Sequence, residues 1–172
     1  MNCHNMEVNG IKNILLVEDD PQDAELTLTA LEEHHLANRF EVVGDGEQAL
    51  DYLYHRGAFE NRAGGHPILV LLDLKMPKVN GLDVLNIIKA DKNLKTIPVV
   101  VLSSSRENSD LAGSYQLGGN AYVVKPLDFF EFGKAVKQLA IFWTTINEPP
   151  PVKTEEIPMS DIEAISPRKE SG

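Results

Sequence analysis

Six polar residues at the ends of short apolar stretches are of types that take part in phosphoryl chemistry. They are Glu18, Asp19, Asp20, Asp73, Ser103 and Lys125. A carboxylate such as that of Asp73 can attack phosphorus and form an acyl phosphate. Clustered carboxylates repel each other and need a cation, and Mg²⁺ suits them because it takes oxygen ligands in octahedral geometry. An ammonium on the other side of a phosphoryl group would neutralise its charge, and a hydroxyl could hydrogen-bond one of its oxygens.

The apolar stretches alternate with segments of helical period from about residue 12 to residue 145. The predicted strands are 14–17, 40–43, 68–72, 98–102 and 121–124. The helices that follow them are predicted to start near Pro21, after Asp45, at Gly81, at Arg106 and after Asp128. Five βα units in series require right-handed crossovers and a parallel sheet.

The fold class predicted from this pattern is α/β, with a doubly wound five-stranded parallel sheet in the order 2-1-3-4-5. The less apolar strand 40–43 is expected near an edge of the sheet, and the glycine-containing stretch 56–67 is predicted to be a long loop. Ligands of such sheets bind beyond the carboxyl ends of the strands, beside the switch between strands 1 and 3. The six polar residues are therefore expected at one edge of the sheet.

Four segments of the chain resemble the receiver domains of bacterial response regulators, over roughly residues 12–146. The segments are Ile14–Asp20, Leu71–Pro77 followed by Gly81, Val101–Ser104 and Tyr122–Pro126. They occur in the family's order, and each contains the end of a predicted strand. The resemblance implies the flavodoxin-like, CheY-like receiver fold.

By this resemblance Asp73 is the phosphoacceptor and also a ligand of the metal. Asp19 matches the family's direct metal ligand, and Glu18 matches the acid that reaches the metal through water. The backbone carbonyl of Lys75, two residues after the acceptor, matches the third protein ligand. The implied cofactor is Mg²⁺.

The resemblance also assigns the remaining site residues. Lys125 matches the lysine that faces the phosphoryl group, Ser103 the switch hydroxyl, and Tyr122 the switch aromatic. The bond between Lys125 and Pro126 is expected to be cis, which an X-Pro bond allows at modest cost. Asp20 matches no role in the family and is expected to cap the first helix.

The long loop 56–67, together with Phe142, Trp143 and Asn147, is similar to single-domain regulators associated with phytochrome-type sensor kinases. This narrower resemblance implies a sensor histidine kinase as partner and a homodimer that the C-terminal extension helps to build. About 26 residues follow Ile146, too few and too proline-rich for a DNA-binding or catalytic module. Output is therefore expected as a change of surface: binding of a downstream protein, altered self-association or relay of phosphate.

Composition limits the other partners. The formal net charge of −10 argues against direct binding to DNA or an anionic membrane, both of which depend on Lys and Arg clusters. No apolar stretch reaches the roughly 18–20 residues that span a bilayer, so a cytoplasmic protein is expected. The predicted organisation is a flexible N-terminus at 1–11, a receiver domain at 12–146 and a proline-rich acidic tail at 147–172. The tail is either disordered or docked on a partner subunit.

Two other classes of protein fit parts of the pattern. A small haloacid-dehalogenase-like phosphatase also uses a strand-end aspartate, but that family needs a second aspartate where this chain has Lys75. A degenerate receiver would bind a partner without phosphorylation, and the full set of acids with Lys125 gives little reason for it. The chain is accordingly expected to accept a phosphoryl group and not to act as an enzyme. Trp143 could either close the core or contribute to an interface.

Overall fold

A computed structural model of the protein describes residues 13–32 and 40–150, and these residues contain a parallel sheet with helices on both faces. The sheet order is β2-β1-β3-β4-β5, so the predicted fold class is confirmed. The strands are β1 (Ile14–Val17), β2 (Phe40–Val43), β3 (Leu69–Leu72), β4 (Val99–Ser103) and β5 (Ala121–Val124). The helices are α1 (Pro21–Glu32), α2 (Gly46–Leu53), α3 (Gly81–Ala90), α4 (Asn108–Gln116) and α5 (Phe129–Ile141).

The register of the strands sets the level at which the site residues leave the sheet. Val17 of β1 lies beside both Val43 and Leu72, and Leu72 in turn lies beside Val101. The backbone N–H of Asp73 continues this ladder by donating to the Val17 carbonyl at 3.0 Å. The residues that follow β1 and β3 therefore emerge side by side.

The inner strands β1, β3 and β4 are buried along their whole length, as their unbroken apolar sequences predict. Alternate side chains of β1 and β3 point to opposite faces of the sheet. One set packs with α2 and α3, and the other packs with α1 and the C-terminal part of the chain. The edge strands β2 and β5 are only partly buried. The carboxyl edge of the sheet is thus held between two packed layers.

Short polar side chains fix the starts of α1, α2, α3 and α5. Asp20, Asp45, Asn80 and Asp128 each accept a hydrogen bond from a backbone N–H two or three residues further on, at 2.8–3.0 Å. Such caps satisfy N–H groups that have no partner inside the helix. The caps predicted at Asp20, Asp45 and Asp128 are confirmed.

The connection 56–67 contains a short 3-10 turn, Gly57–Phe59, and is organised by Arg62. The Nε atom of Arg62 donates to the carbonyl of Tyr52 at 2.9 Å, and its guanidinium lies 4.0 Å from the centre of the Tyr52 ring. Its Nη1 atom donates to the carbonyl of Gly65 at 2.9 Å. One side chain thus fastens a glycine-rich segment to the end of α2.

The last helix continues past Ile141 into a wider π-helical turn, Phe142–Ile146. Trp143 is partly buried and packs on the cluster beneath β1 and β3, so the structure favours core packing for this residue. Phe142 and Ile146 are exposed.

The N-terminal segment 1–11 and the tail beyond residue 150, for which the sequence predicts flexibility or docking, lie outside the described residues. Within the described ranges, no helix combines the length and the apolar character needed to cross a membrane.

Candidate functional site

Three carboxylates meet at the carboxyl edge of the sheet, as the sequence predicts. Glu18 and Asp19 follow β1, and Asp73 follows β3. One oxygen from each lies within 4.8 Å of the others, close enough for a shared cation. Glu18 and Asp73 are buried, whereas Asp19 is exposed to solvent. The oxygen-only donor set suits Mg²⁺.

Lys125 joins these acids from the end of β5. Its side chain is 8% exposed, and its Nζ donates to Glu18 Oε2 at 2.6 Å and to Asp73 Oδ2 at 2.9 Å. Its backbone N–H donates to the Ser103 carbonyl at 2.8 Å, which places it beside the end of the neighbouring strand β4. The ammonium compensates the charge of buried carboxylates that would otherwise be costly to desolvate.

The same Nζ also donates to Asp23 Oδ2 at 2.8 Å. Asp23 lies in the first turn of α1 and was not among the site residues predicted from sequence. Its position in the sequence indicates only an acid in the first turn of a helix, where the helix dipole stabilises a negative charge. Its contact with Lys125 depends on how α1 leaves the sheet, which the sequence pattern does not give.

Burial raises the pKa of Glu18 to about 7, against an ordinary value of 4.5, although the hydrogen bond from Lys125 acts in the opposite direction. The charge of Asp73 adds to the increase. Burial lowers the pKa of Lys125, but its hydrogen bonds to Asp23, Glu18 and Asp73 outweigh that effect and leave the pKa above its ordinary value. Lys125 therefore stays protonated at neutral pH, while burial shifts Glu18 toward its neutral form.

The β3–α3 connection holds the backbone of Asp73 close to the start of α3. A Cβ atom added to Gly81 would lie 2.2 Å from the Asp73 carbonyl oxygen and 2.6 Å from Leu74 Cα. The backbone N–H of Lys75 donates to Asp73 Oδ1 at 3.1 Å and so helps to orient the carboxylate. Only glycine allows this close approach of backbone to backbone.

Ser103 and Tyr122 are linked through Ser105, for which the sequence predicts no role. Ser103 is the last residue of β4, one residue further than the predicted end of the strand, and its buried Oγ accepts from the Ser105 N–H at 3.2 Å. The Tyr122 hydroxyl donates to the Ser105 carbonyl at 3.0 Å. Ser105 Oγ in turn donates to Asp110 Oδ2 of α4 at 2.6 Å.

One expectation about the site is wrong. The predicted cis bond between Lys125 and Pro126 is absent, since the described residues contain no cis peptide bond. A trans bond is the lower-energy form before proline. It already places the Lys125 ammonium within reach of the carboxylates.

The parallel sheet order and the acids and lysine at its carboxyl edge define a CheY-like receiver. Residues 14–137 match the response regulator receiver domain family, and the chain belongs to this family. It is homologous to phytochrome-associated response regulators, as the following comparisons show.

Among curated proteins, the chain is 41% identical over 140 residues to the probable methanogenesis regulatory protein FilR2 of Methanothrix harundinacea, covering 80% of this chain and 86% of that protein. It is 38% identical over 137 residues to the response regulator Rcp1 of Synechocystis sp., covering 80% of this chain and 92% of that protein.

Among solved structures, the bacteriophytochrome response regulator RtBRR is 57% identical, with a TM-score of 0.66 over 82% of this chain and 85% of that chain. The phosphorylated cyanobacterial phytochrome response regulator RcpA is 38% identical, with a TM-score of 0.76 over 81% of this chain and 99% of that one. The Mn²⁺-bound form of Rcp1 is 36% identical, also with a TM-score of 0.76, over 81% and 99% of the two chains.

Proposed function

We propose that the protein is a stand-alone response regulator that accepts a phosphoryl group on Asp73 in a Mg²⁺-dependent reaction. The observation that carries this proposal is the setting of the Asp73 carboxylate. It is buried, it accepts a hydrogen bond from Lys125 Nζ at 2.9 Å, and one of its oxygens lies within 4.8 Å of oxygens of Glu18 and Asp19. This arrangement suits a group that must bind a metal and a phosphoryl group together.

In the proposed reaction, a carboxylate oxygen of Asp73 forms a bond to phosphorus as the bond from phosphorus to the donor breaks. The donor's leaving group departs with the electron pair, and Asp73 becomes an acyl phosphate. Lys125 neutralises the charge of the phosphoryl oxygens. The groups that would hold Mg²⁺ are Glu18, Asp19, Asp73 and the Lys75 carbonyl. When bound, the ion would add its positive charge to that of Lys125. The Mn²⁺-bound form of the relative Rcp1 supports the binding of a divalent cation.

Ser103 and Tyr122 are proposed to report the new group to the surface. The Ser103 hydroxyl would donate to a phosphoryl oxygen, and the turn of its side chain toward that oxygen would weaken the hydrogen bond that its Oγ accepts from the Ser105 N–H. The Tyr122 hydroxyl donates to the carbonyl of Ser105. Movement of Ser103 would therefore alter both the Ser103–Ser105 and the Tyr122–Ser105 hydrogen bonds. Ser105 also binds Asp110 of α4, so the change would reach that helix.

The proposed donor is a sensor histidine kinase of phytochrome type, acting in the cytoplasm. RcpA and RtBRR, which are named for phytochrome signalling, support this partner. The protein itself is proposed to catalyse only its own phosphorylation and dephosphorylation, because Lys75 stands where a haloacid-dehalogenase-like phosphatase would need its second aspartate. We also propose a homodimer built at the exposed apolar residues Phe142 and Ile146, in the turn that follows α5.

Intact mass after incubation with Mg²⁺ and acetyl phosphate tests the proposal directly. The wild-type protein should gain one labile phosphoryl group, and EDTA should prevent the gain. Asp73→Asn should gain none, whereas Asp20→Asn, which keeps a capping side chain outside the reaction, should behave like wild type. A folded wild-type protein that gains no phosphoryl group would support a degenerate receiver, and catalytic turnover of phosphate esters would indicate a phosphatase.

A further inference from the structure

Asp23 is a fourth carboxylate at the site and has no part in the reaction proposed above. Its Oδ2 accepts a hydrogen bond of 2.8 Å from Lys125 Nζ. Its side chain is 38% exposed, whereas Glu18 and Asp73, which bind the same Nζ, are buried. An acid in the first turn of a helix interacts favourably with the helix dipole, but this interaction does not require a hydrogen bond from Lys125.

The ammonium of Lys125 has three hydrogens, and three carboxylates accept from it at 2.6–2.9 Å. A phosphoryl group on Asp73 would bring nearly two further negative charges and three strong acceptor oxygens beside this ammonium. Asp23 then competes with those oxygens for Lys125. It does not belong to the group of carboxylates that could hold a metal ion together. Its charge therefore acts chiefly through Lys125.

We propose that Asp23 is a positioning residue that determines how strongly the charge of Lys125 acts on a bound cation and on the phosphoryl group. The role in phosphoryl transfer rests on the proposed function. By holding part of the ammonium's charge, Asp23 reduces the repulsion between Lys125 and a cation bound by Glu18 and Asp73. Because Asp23 accepts a hydrogen bond from the same ammonium, it weakens the attraction of Lys125 for phosphoryl oxygens. Its own negative charge also repels those oxygens. Asp23 thus favours binding of the cation and opposes arrival and retention of the phosphoryl group.

The full chain carrying Asp23→Asn separates these two effects. Titration calorimetry with Mg²⁺ alone should show an affinity about fivefold lower than wild type, the scale expected for a partly exposed ion pair. With Mg²⁺ at a concentration that saturates each protein, acetyl phosphate should phosphorylate the variant about fivefold faster. The phosphoryl group should also persist longer. Opposite changes in the two measurements are not expected from a purely structural residue.

Asp20→Asn is the matched control, because it removes one charge beside the same turn and keeps a side chain that can cap α1. It should leave both measurements nearly unchanged, and Asp23→Glu should return both toward wild type. The proposal is overturned if Asp23→Asn and Asp20→Asn behave alike, or if Asp23→Asn lowers thermal stability while both measurements stay at wild-type values. If the wild type accepts no phosphoryl group, the proposed function fails. The Mg²⁺ titration then decides alone, and an unchanged affinity overturns the role of Asp23.

Discussion

The function proposed above uses Glu18, a buried carboxyl group, as a ligand of a cation. In the metal-free fold, burial favours its protonated form, and Lys125 only partly offsets this effect. A divalent cation needs the ionised carboxylate, since metal ligands must lose their protons to bind. Cation binding and proton release should therefore be coupled at this residue.

The affinity for Mg²⁺ should rise about tenfold between about pH 6 and about pH 8, because the pKa of Glu18 is raised to about 7. The contribution of Glu18 to the stability of the metal-free protein depends on pH in the opposite direction to the Mg²⁺ affinity. The contribution of Glu18 is fully present below its unfolded pKa of 4.5 and is lost as the pH rises through about 7. Calorimetry in two buffers of different ionisation enthalpy would measure the released proton. Glu18→Gln should bind more weakly and lose most of the pH dependence, and an affinity of the wild type that stays constant over this range would contradict the raised pKa.

At the scale of residues, the sequence predicts the members of the site that directly follow strands. Asp73 and Lys125 could be placed because the apolar stretches before them are unambiguous and parallel strands end at one edge. Asp23 and Ser105 could not be placed in this way. Their contacts depend on the direction of α1 and on the path of the β4–α4 connection, and both of these are set by tertiary packing. The roles assigned to the site residues remain predictions.

At the scale of elements, the two helical glycines Gly81 and Gly133 differ in whether packing requires them. Gly81 opens α3 against the backbone of Asp73 and Leu74, which an added Cβ atom would have to displace. Gly133 lies inside α5, where an added Cβ would meet only Ala30 Cβ, at 3.6 Å, an ordinary contact distance. The first glycine is required by packing, and the second costs helix stability without a steric need.

Gly81→Ala should lower the free energy of unfolding by about 2 kcal/mol, in the range measured for overpacked sites. It should also slow phosphorylation, because the displaced backbone carries Asp73. Gly133→Ala should raise the free energy of unfolding by about 0.5–1 kcal/mol and leave phosphorylation unchanged. Urea unfolding monitored by circular dichroism measures both variants. Equal effects of the two substitutions would show that the close approach at Gly81 does not constrain the fold.

The sequence predicts the strands to within about one residue, because each is an apolar stretch bounded by polar or turn-forming residues. The start of α4 is predicted less accurately: the sequence places it at Arg106, and the helix begins at Asn108. Its polar composition and Gly113 give little helical periodicity from which to place the ends. In the connection 56–67, the glycines correctly indicate a loop, but its order comes from the stacking of Arg62 on Tyr52, which involves the preceding helix.

At the scale of the whole molecule, α5 exposes apolar side chains at both ends. Phe129 and Phe130 are exposed at its start, and Phe142 and Ile146 are 45% and 66% exposed in the turn that follows it. Apolar surface of this kind commonly marks an interface. The two ends can be distinguished experimentally, because changes at one end leave the other intact.

The full chain should be a dimer by light scattering, and a double substitution, Phe142→Glu with Ile146→Glu, should make it monomeric. Two buried glutamates per subunit would oppose association, since charges are costly to desolvate without partners. Phe129→Glu with Phe130→Glu is the matched control, with comparable exposure on the same helix, and should remain dimeric. A third protein truncated after Ile146 separates the helix end from the tail. If truncation alone gives monomers and the double variant at 142 and 146 remains dimeric, the tail holds the subunits together and the interface does not lie at the end of α5.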